Sequence, residues 1–250
     1  MTLASPIPAR IQLCGPPVIE LDGQRLEDRL AGHQSVLLFA YLVLHRHQLS
    51  NRDDLERALW ADGLAHPSGL NPLISKLRKV LGAGLLEGRS GLRLRLPNPA
   101  LVDVEAARSA VHTAESQIAL EHWKHAWAPA QVALFITQRD FLPGEFTPWV
   151  EDERRQLADV ALRALQAYAQ AALGSGGTEL PAAVRSGRRL VQLAPLHESG
   201  HQVLMQALAR EGNVAEALKV YADLQALLRD ELGVSPSAAT QRVFEGLLRE

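Results

Sequence analysis

The chain has 250 residues, 47% of them apolar and 22% charged, with a formal net charge of −2. That is ordinary for a soluble globular protein of one large or two small domains. The longest apolar run, Val36–Leu44, has nine residues, well short of the roughly 18 a membrane span needs. MTLASPIPAR lacks a signal-peptide core, and a single cysteine, Cys14, excludes an intrachain disulfide; a cytoplasmic protein without a membrane partner is expected.

Arg10–Cys14 alternates polar and apolar residues, with Ile11 and Leu13 on one face, as a half-buried strand does. This makes Cys14 a small core residue. Val18–Leu21 and Gln24–Leu26 flank Asp22-Gly23. That dipeptide predicts a type I′ hairpin turn, which needs positive φ at both positions. Ser35–His45 reads as a helix with Leu37, Leu38, Tyr41, Leu42 and Leu44 mostly inward. Ser50-x-x-Asp53 predicts an N-cap with an acid three residues on, opening a helix to about Trp60 that buries Leu55, Ala58 and Leu59.

Asn71-Pro72 predicts the start of a third helix. Asn71 caps it and Pro72 takes the first position, where a missing N–H costs nothing. Leu70, Ile74, Leu77 and Leu81 form its inward stripe, Asn71, Ser75, Lys76, Arg78 and Lys79 face outward, and Gly82 ends it. Strands Leu85–Glu87 and Leu92–Leu96 follow around Gly88-Arg89-Ser90-Gly91, with Arg93 and Arg95 facing out.

The order strands, helix, helix, helix, hairpin is that of a winged helix. In that arrangement helix 72–81 enters the major groove and the wing 85–96 contacts phosphate or the minor groove. The charge is distributed accordingly: residues 1–100 carry a net +3 and residues 101–250 a net −5. The window Lys76–Arg95 holds six basic residues and one acid, Glu87. A local basic patch suits an anionic partner; a solvated charged face is the plainer alternative. The candidate DNA-binding residues are Asn71 and Ser75 as base readers, Lys76, Arg78 and Lys79 on the helix, and Arg89 and Arg93 on the wing.

Val102-Asp103-Val104 marks the passage to a second, all-α module. Helices are expected at about 103–117 and 119–135, then a loop through Phe141-Leu142-Pro143-Gly144, and a long helix from Pro148 or Trp149 to Leu173. Gly174-Ser175-Gly176-Gly177 breaks the chain, and helices follow at about 181–193, 197–210, 213–231 and 236–249. Trp123, Trp127, Phe141, Phe146 and Trp149 are expected to cluster as core near the first turn of this array. The acidic run Glu151-Asp152-Glu153 complements a helix N-terminus. Residues 195–236 carry the clearest signal: two helices around a Gly-Asn turn. Ala207, Ala215, Ala217 and Ala222 fall where they must approach, and Val203, Leu204, Leu208, Leu218, Tyr221, Leu224 and Leu228 form apolar stripes. Such a pair cannot bury its apolar face alone, so stacked helix pairs of the tetratricopeptide kind are implied.

Enzyme signals are weak. His197-Glu198-Ser199-Gly200-His201 matches the zinc-protease pattern H-E-x-x-H. It lacks an evident third ligand and runs on into the packed repeat LMQALAREGNVAEAL. His45-x-His47 ends a helix beside Arg46 and reads as solvated; His122 and His125 lie among tryptophans with no sign of a switch. There is no phosphate-cradling loop and no nucleophile elbow. No enzymatic activity, cofactor or metal is expected.

The segments RDDLERALW, NPLISKLRKVLG, GRSGLRLRL and LVDVEAA resemble bacterial transcriptional activators whose DNA-binding domain is similar to that of OmpR-type response regulators. FLPGEFTPWVEDERRQL, PLHESGHQVLMQALAREGNVAEALKVY and LRDELGVSPSAAT look like the helical activator domain of the same proteins, which include the Streptomyces antibiotic regulatory proteins. The resemblance runs from about Ile11 to Leu248. It implies a mainly α, two-domain protein: an α+β winged helix-turn-helix over 1–100, then an all-α tetratricopeptide-like repeat domain over 101–250. It further implies a transcription activator that binds double-stranded DNA as a homodimer and contacts RNA polymerase or a sigma factor. Two departures stand out. GHQSVLL opens the first helix without a strong cation, and Pro72 shortens the third, with Leu73 where the family has a polar residue. They leave open a second reading, a tetratricopeptide-type interaction module with a weak or vestigial DNA-binding domain.

Overall fold

The structure, a computed structural model, describes residues 8–30, 32–60, 69–82 and 84–249; most of the N-terminal stretch expected to lack a signal core lies outside them. The described chain is mainly helical with a small sheet region. It divides into two compact units. The first comprises the described residues up to Ala106 together with Ile136–Leu157; the second comprises Ala107–Phe135 and the chain from Ala158 onward. The division by packing is thus not a single cut near residue 100.

In the first unit, β1 (Ala9–Gln12), β2 (Val18–Leu21), β3 (Gln24–Arg25) and β7 (Ala100–Val102) form a sheet in the order β3-β2-β1-β7. β2 pairs antiparallel with β1 and β3, while β7 runs parallel to β1. Asp22 and Gly23 have φ of 48° and 77°, the two positive values a type I′ turn demands. Ile11, Leu13 and Ile19 are fully buried, as the period-two alternation predicts. Cys14 falls just beyond β1, bridged to Phe141. Burial first, and the neighbouring Asp103 second, push its thiol up to about 12, so it stays protonated and inert.

Three helices cover the core: α1 (His33–Leu44), α2 (Arg52–Leu59) and α3 (Leu70–Leu81), with α1 packed on both others. Two details of α1 differ from expectation. Tyr41 and Leu44 are only half-buried, whereas Phe39, Ala40 and Val43 are buried. The ring of Tyr41 stacks on His45 at 4.0 Å and meets Trp149 edge-on at 5.3 Å. The cap of α2 is Asn51, whose side chain accepts from the Asp54 N–H at 2.8 Å, and not Ser50. Ser50 is instead buried in β4 (Ser50–Asn51), paired with Leu92; both residue types cap well, and strand pairing decides between them.

Two short strands close this unit's second sheet. β5 (Leu86–Glu87) and β6 (Gly91–Leu94) form a hairpin, and β4 adds to β6, giving the order β4-β6-β5.

The remaining helices are α4 (Asp103–Ala119), α5 (Trp123–Thr137), α6 (Pro148–Ser175), α7 (Leu180–Leu193), α8 (Glu198–Arg210), α9 (Val214–Leu232) and α10 (Ala238–Leu247). The expected break after Leu173 comes two residues later. Gly174 stays helical, and its missing Cβ lets the Trp123 ring pack against it, since a Cβ there would sit 2.2 Å from the ring. Among the described residues no helix is long and apolar enough to cross a membrane.

The second unit is built on neighbouring helices of the α7–α8–α9 series, with α10 against α8 and α9. Ala207 and Ala217 are buried at the helix contacts, but Ala215 and Ala222 are exposed. The close approach is made by glycine. A Cβ on Gly187 of α7 would lie 3.0 Å from the Leu204 Cα of α8, and one on Gly200 of α8 would lie 2.9 Å from the Leu190 Cβ of α7. Each helix offers a gap to a leucine of the other, which lets the backbones come close and the leucines bury fully.

The aromatic residues do not form one cluster. Phe141 and Trp149 meet edge-on at 5.9 Å in the first unit, where the Trp149 Nε1 donates to the Ala58 carbonyl at 2.9 Å. Trp127 packs on Tyr168 at 4.5 Å in the second. Phe146 is 79% exposed, with the Arg154 guanidinium 5.8 Å from its ring centre. Hydrophobicity alone assigns all five to a core; it does not say which core, or which ring is left outside.

Candidate nucleic-acid interface

Helix α3 buries Leu70, Ile74, Leu77 and Leu81, the stripe its 3.6-residue period predicts. The opposite side carries the polar residues. Asn71, Ser75, Arg78 and Lys79 are exposed, and Lys76 and Leu73 are half-buried. The start differs from the expected one. Gly69, not Asn71, is the N-cap, and no side chain caps the helix. Pro72 therefore stands in the first turn, not at its first residue. It is tolerated there because the first four helical N–H groups have no intrahelical partner. Asn71 is released from capping and takes another partner: its Oδ1 accepts from Nη2 of Arg52 at 2.6 Å.

Arg52 is the first residue of α2, directly after its Asn51 cap. The wing comes to the same place. Arg78 donates from Nη2 to the carbonyl of Gly88, tying α3 to the turn between β5 and β6. Arg52, Asn71, Ile74, Ser75, Arg78 and Arg89 line one open cleft of about 310 Å³. Three arginines, a serine and an asparagine are among the residues that line it, and no carboxylate residue does among the described residues.

Of the seven residues expected from sequence, the cleft brings together Asn71, Ser75, Arg78 and Arg89. Lys76, Lys79 and Arg93 do not line it. Arg93 is half-buried with its Nε buried and unpartnered among the described residues, opposite Glu87 in the β5–β6 register. Of the two arginines expected to face outward, only Arg95 is fully exposed, and it pairs with Glu87 at 3.1 Å. Arg52 was not expected. It belongs to another helix, 19 residues before Asn71, and no periodicity within either helix links them.

The H-E-x-x-H segment has structural partners. Glu198 accepts from the Ser237 N–H at 2.9 Å, from the Ser237 hydroxyl at 2.8 Å and from the Thr240 hydroxyl, so it anchors the start of α10. Nε2 of His201, 3% exposed, donates to the Pro195 carbonyl at 2.9 Å. Burial lowers its pKa and keeps the ring neutral. Among the described residues no group of three or more His, Cys, Asp or Glu is arranged to hold a metal ion. At His45, Nδ1 lies 2.8 Å from the Tyr41 carbonyl.

Partial burial by itself raises Glu198, but the hydrogen bonds from Thr240 and Ser237 outweigh it and hold the carboxyl below its ordinary range. A depressed carboxyl stabilises the fold above its unfolded pKa, and that stability is lost as pH falls through the folded value. Glu198→Gln is expected to cost about 1–2 kcal/mol at neutral pH. In urea unfolding, the gap between wild type and variant should narrow as the pH drops below about 4.5. A gap that widens in acid would contradict this role.

Residues 102–248 match the bacterial transcriptional activator domain. The chain belongs to that family. Among the curated proteins it is similar to the regulatory protein AfsR of Streptomyces coelicolor, with 31% identity over 245 residues, covering 96% of this chain and 24% of AfsR. It is also similar to the transcriptional regulatory protein EmbR of Mycobacterium tuberculosis, with 26% identity over 255 residues, covering 95% of this chain and 63% of EmbR. The activator-domain chain thus spans about a quarter of the length of AfsR and under two thirds of EmbR. Among solved structures, Mycobacterium tuberculosis EmbR in complex with a low affinity phosphopeptide superposes with a TM-score of 0.83 at 22% identity, over 97% of this chain and 65% of that one. At that identity the likeness concerns the fold.

Proposed function

We propose that this protein is a DNA-binding transcriptional regulator. Its N-terminal domain, within residues 1–100, is an OmpR-like winged helix-turn-helix with α3 in the major groove and the β5–β6 turn against the phosphate backbone. Its C-terminal domain, residues 101–250, is a tetratricopeptide-like activator domain that pairs two protomers on repeated half-sites and helps position RNA polymerase or its sigma factor. The observation that carries this reading is the cleft at α3. Arg52, Arg78 and Arg89 converge on one open site without a carboxylate, on a chain whose net charge is negative. An open cleft lined by three arginines and no carboxylate suits an anion, and phosphate oxygens match the guanidinium fork. The activator-domain match and the names of AfsR and EmbR, both regulatory proteins, support it.

The test is the salt dependence of duplex binding. Arg89→Ala and Lys79→Ala, both at exposed positions, are expected to weaken binding on all sequences alike. Each should reduce the slope of log affinity against log salt by about one, the signature of one lost phosphate contact. Unchanged slopes in both variants would take α3 and the wing off the DNA.

A further inference from the structure

Helix α8 turns Gln202, Gln206 and Arg210 to one side, each four residues after the last, so that they stand one above another. α10 adds Arg242, Val243 and Gly246, and the two rows line one open groove of about 530 Å³ within the helical unit. No carboxylate residue lines it among the described residues. Elsewhere in this unit Arg163, Arg188 and Arg229 each pair with a carboxylate. The two arginines of the groove are exposed and bond only to backbone among the described residues. Arg210 donates to the Leu173 carbonyl at 2.7 Å, and Arg242 to the Ala238 carbonyl of its own helix at 3.2 Å.

Gly246 is a second, independent observation. A glycine within a helix lowers its stability relative to alanine. The other described glycines without a positive φ, Gly91, Gly174, Gly187 and Gly200, each make room for a neighbour, which a Cβ would approach to 3.0 Å or less. A Cβ on Gly246 would meet nothing within 4 Å. Packing within the chain does not call for a glycine there, and the groove that Gly246 lines is the wider for it.

We propose that the α8–α10 groove binds an extended acidic peptide segment of a partner protein. Arg210 and Arg242 take its carboxylates, and Gly246 leaves room for it against α10. Gln206, which is exposed, offers an amide donor and an acceptor that match a peptide backbone. From Gln202 to Arg210 the helix rises about 12 Å, the length of about four residues of extended chain. A nucleic acid is also anionic but fits less well. Residues 101–250 carry a net −5, which repels a long polyanion, whereas a short segment meets only the local cations. The inference concerns the helical unit alone and stands whether or not α3 meets DNA.

The experiment is selection of peptides from a displayed random library by the full chain. The enriched peptides are then labelled and titrated by fluorescence anisotropy with wild type, Arg242→Glu and Gly246→Leu. The wild type should enrich peptides in which Asp and Glu lie close together, and their affinity should fall as salt rises. Arg242→Glu sets a like charge in the groove and Gly246→Leu fills it. Each should weaken binding about tenfold or more, while thermal unfolding stays within error of wild type. Gly246→Ala should melt no lower than wild type. Selection without acidic enrichment would overturn the inference. So would acidic peptides held equally by wild type and both variants, because they would then sit elsewhere on the chain. A lower melting temperature for Gly246→Ala would return that glycine to a structural role and remove its support. Weaker duplex binding by Arg242→Glu, with peptide binding unchanged, would make the groove a nucleic-acid contact instead.

Discussion

Gly88→Ala is expected to lower the stability of the first unit and, on the function proposed above, its affinity for DNA by more than loss of any single wing cation. Gly88 has a φ of +96°, which an L side chain adopts only at a cost of about 1 kcal/mol. Space is the larger obstacle. A Cβ there would lie 1.9 Å from the Gly91 carbonyl oxygen, a backbone atom of the same turn, so the turn itself must open. Two arginines of the cleft depend on it. Arg89 sits at its tip, and Arg78 reaches the cleft while bonded to the Gly88 carbonyl. A destabilisation of about 2 kcal/mol is expected, with a fall in duplex affinity of about tenfold or more as both cations lose their positions. Thermal unfolding reads the first effect and fluorescence anisotropy the second. A variant that melts and binds like wild type would show that the wing turn does not have this geometry.

Asp103→Ala carries the largest expected effect on folding. Asp103 follows β7 directly and opens α4. Its carboxylate accepts from the Leu13 and Cys14 N–H groups at 2.9 Å each and from the Val104 N–H at 2.8 Å. It therefore satisfies the end of β1 and the start of a helix at once, and favours the positive end of that helix. Leu13 and Cys14 are fully buried, so without the carboxylate their N–H groups have no water to turn to. The expected cost is about 3 kcal/mol, since each orphaned buried donor costs 1–3 and the effects overlap. Asp103→Asn, which keeps one acceptor oxygen, should fall between. Burial raises the Asp103 carboxyl above its usual range, against the pull of the N–H groups and of Arg139. Its ionisation therefore costs stability as pH rises through the raised value, the opposite sign to Glu198. A urea midpoint for Asp103→Ala within error of wild type would contradict the bridging role.

Features set by local chemistry were legible in the sequence. The Asp22-Gly23 turn is written in two residues that tolerate positive φ. The buried stripe of α3 is written in a single period, and so are the outward positions of Ser75, Arg78 and Lys79. Features set by tertiary choice were not. Ser50 and Asn51 are equally good caps until β4 pairs with β6 and takes Ser50. Asn71 reads as a cap because it precedes Pro72, yet Gly69 begins the helix and Asn71 turns to Arg52. Gly187 and Gly200 are where α7 and α8 meet, a role that depends on the partner helix and not on local pattern. Arg52, the member of the cleft that periodicity could not supply, lies on a different helix. Ile136–Leu157 packs with the N-terminal unit, which charge and helical pattern along the chain do not reveal.

The most direct test of DNA recognition at the α3 cleft is fluorescence anisotropy of the full chain. One duplex would come from the region upstream of its own gene and another would be an unrelated duplex of equal length, each titrated from about 50 to 200 mM salt. The expected result is a preference of roughly a thousandfold for the upstream duplex, with an affinity that falls steeply as salt rises. Equal binding of both duplexes, or none at the lowest salt, would contradict it and leave the helical domain as a protein-interaction module.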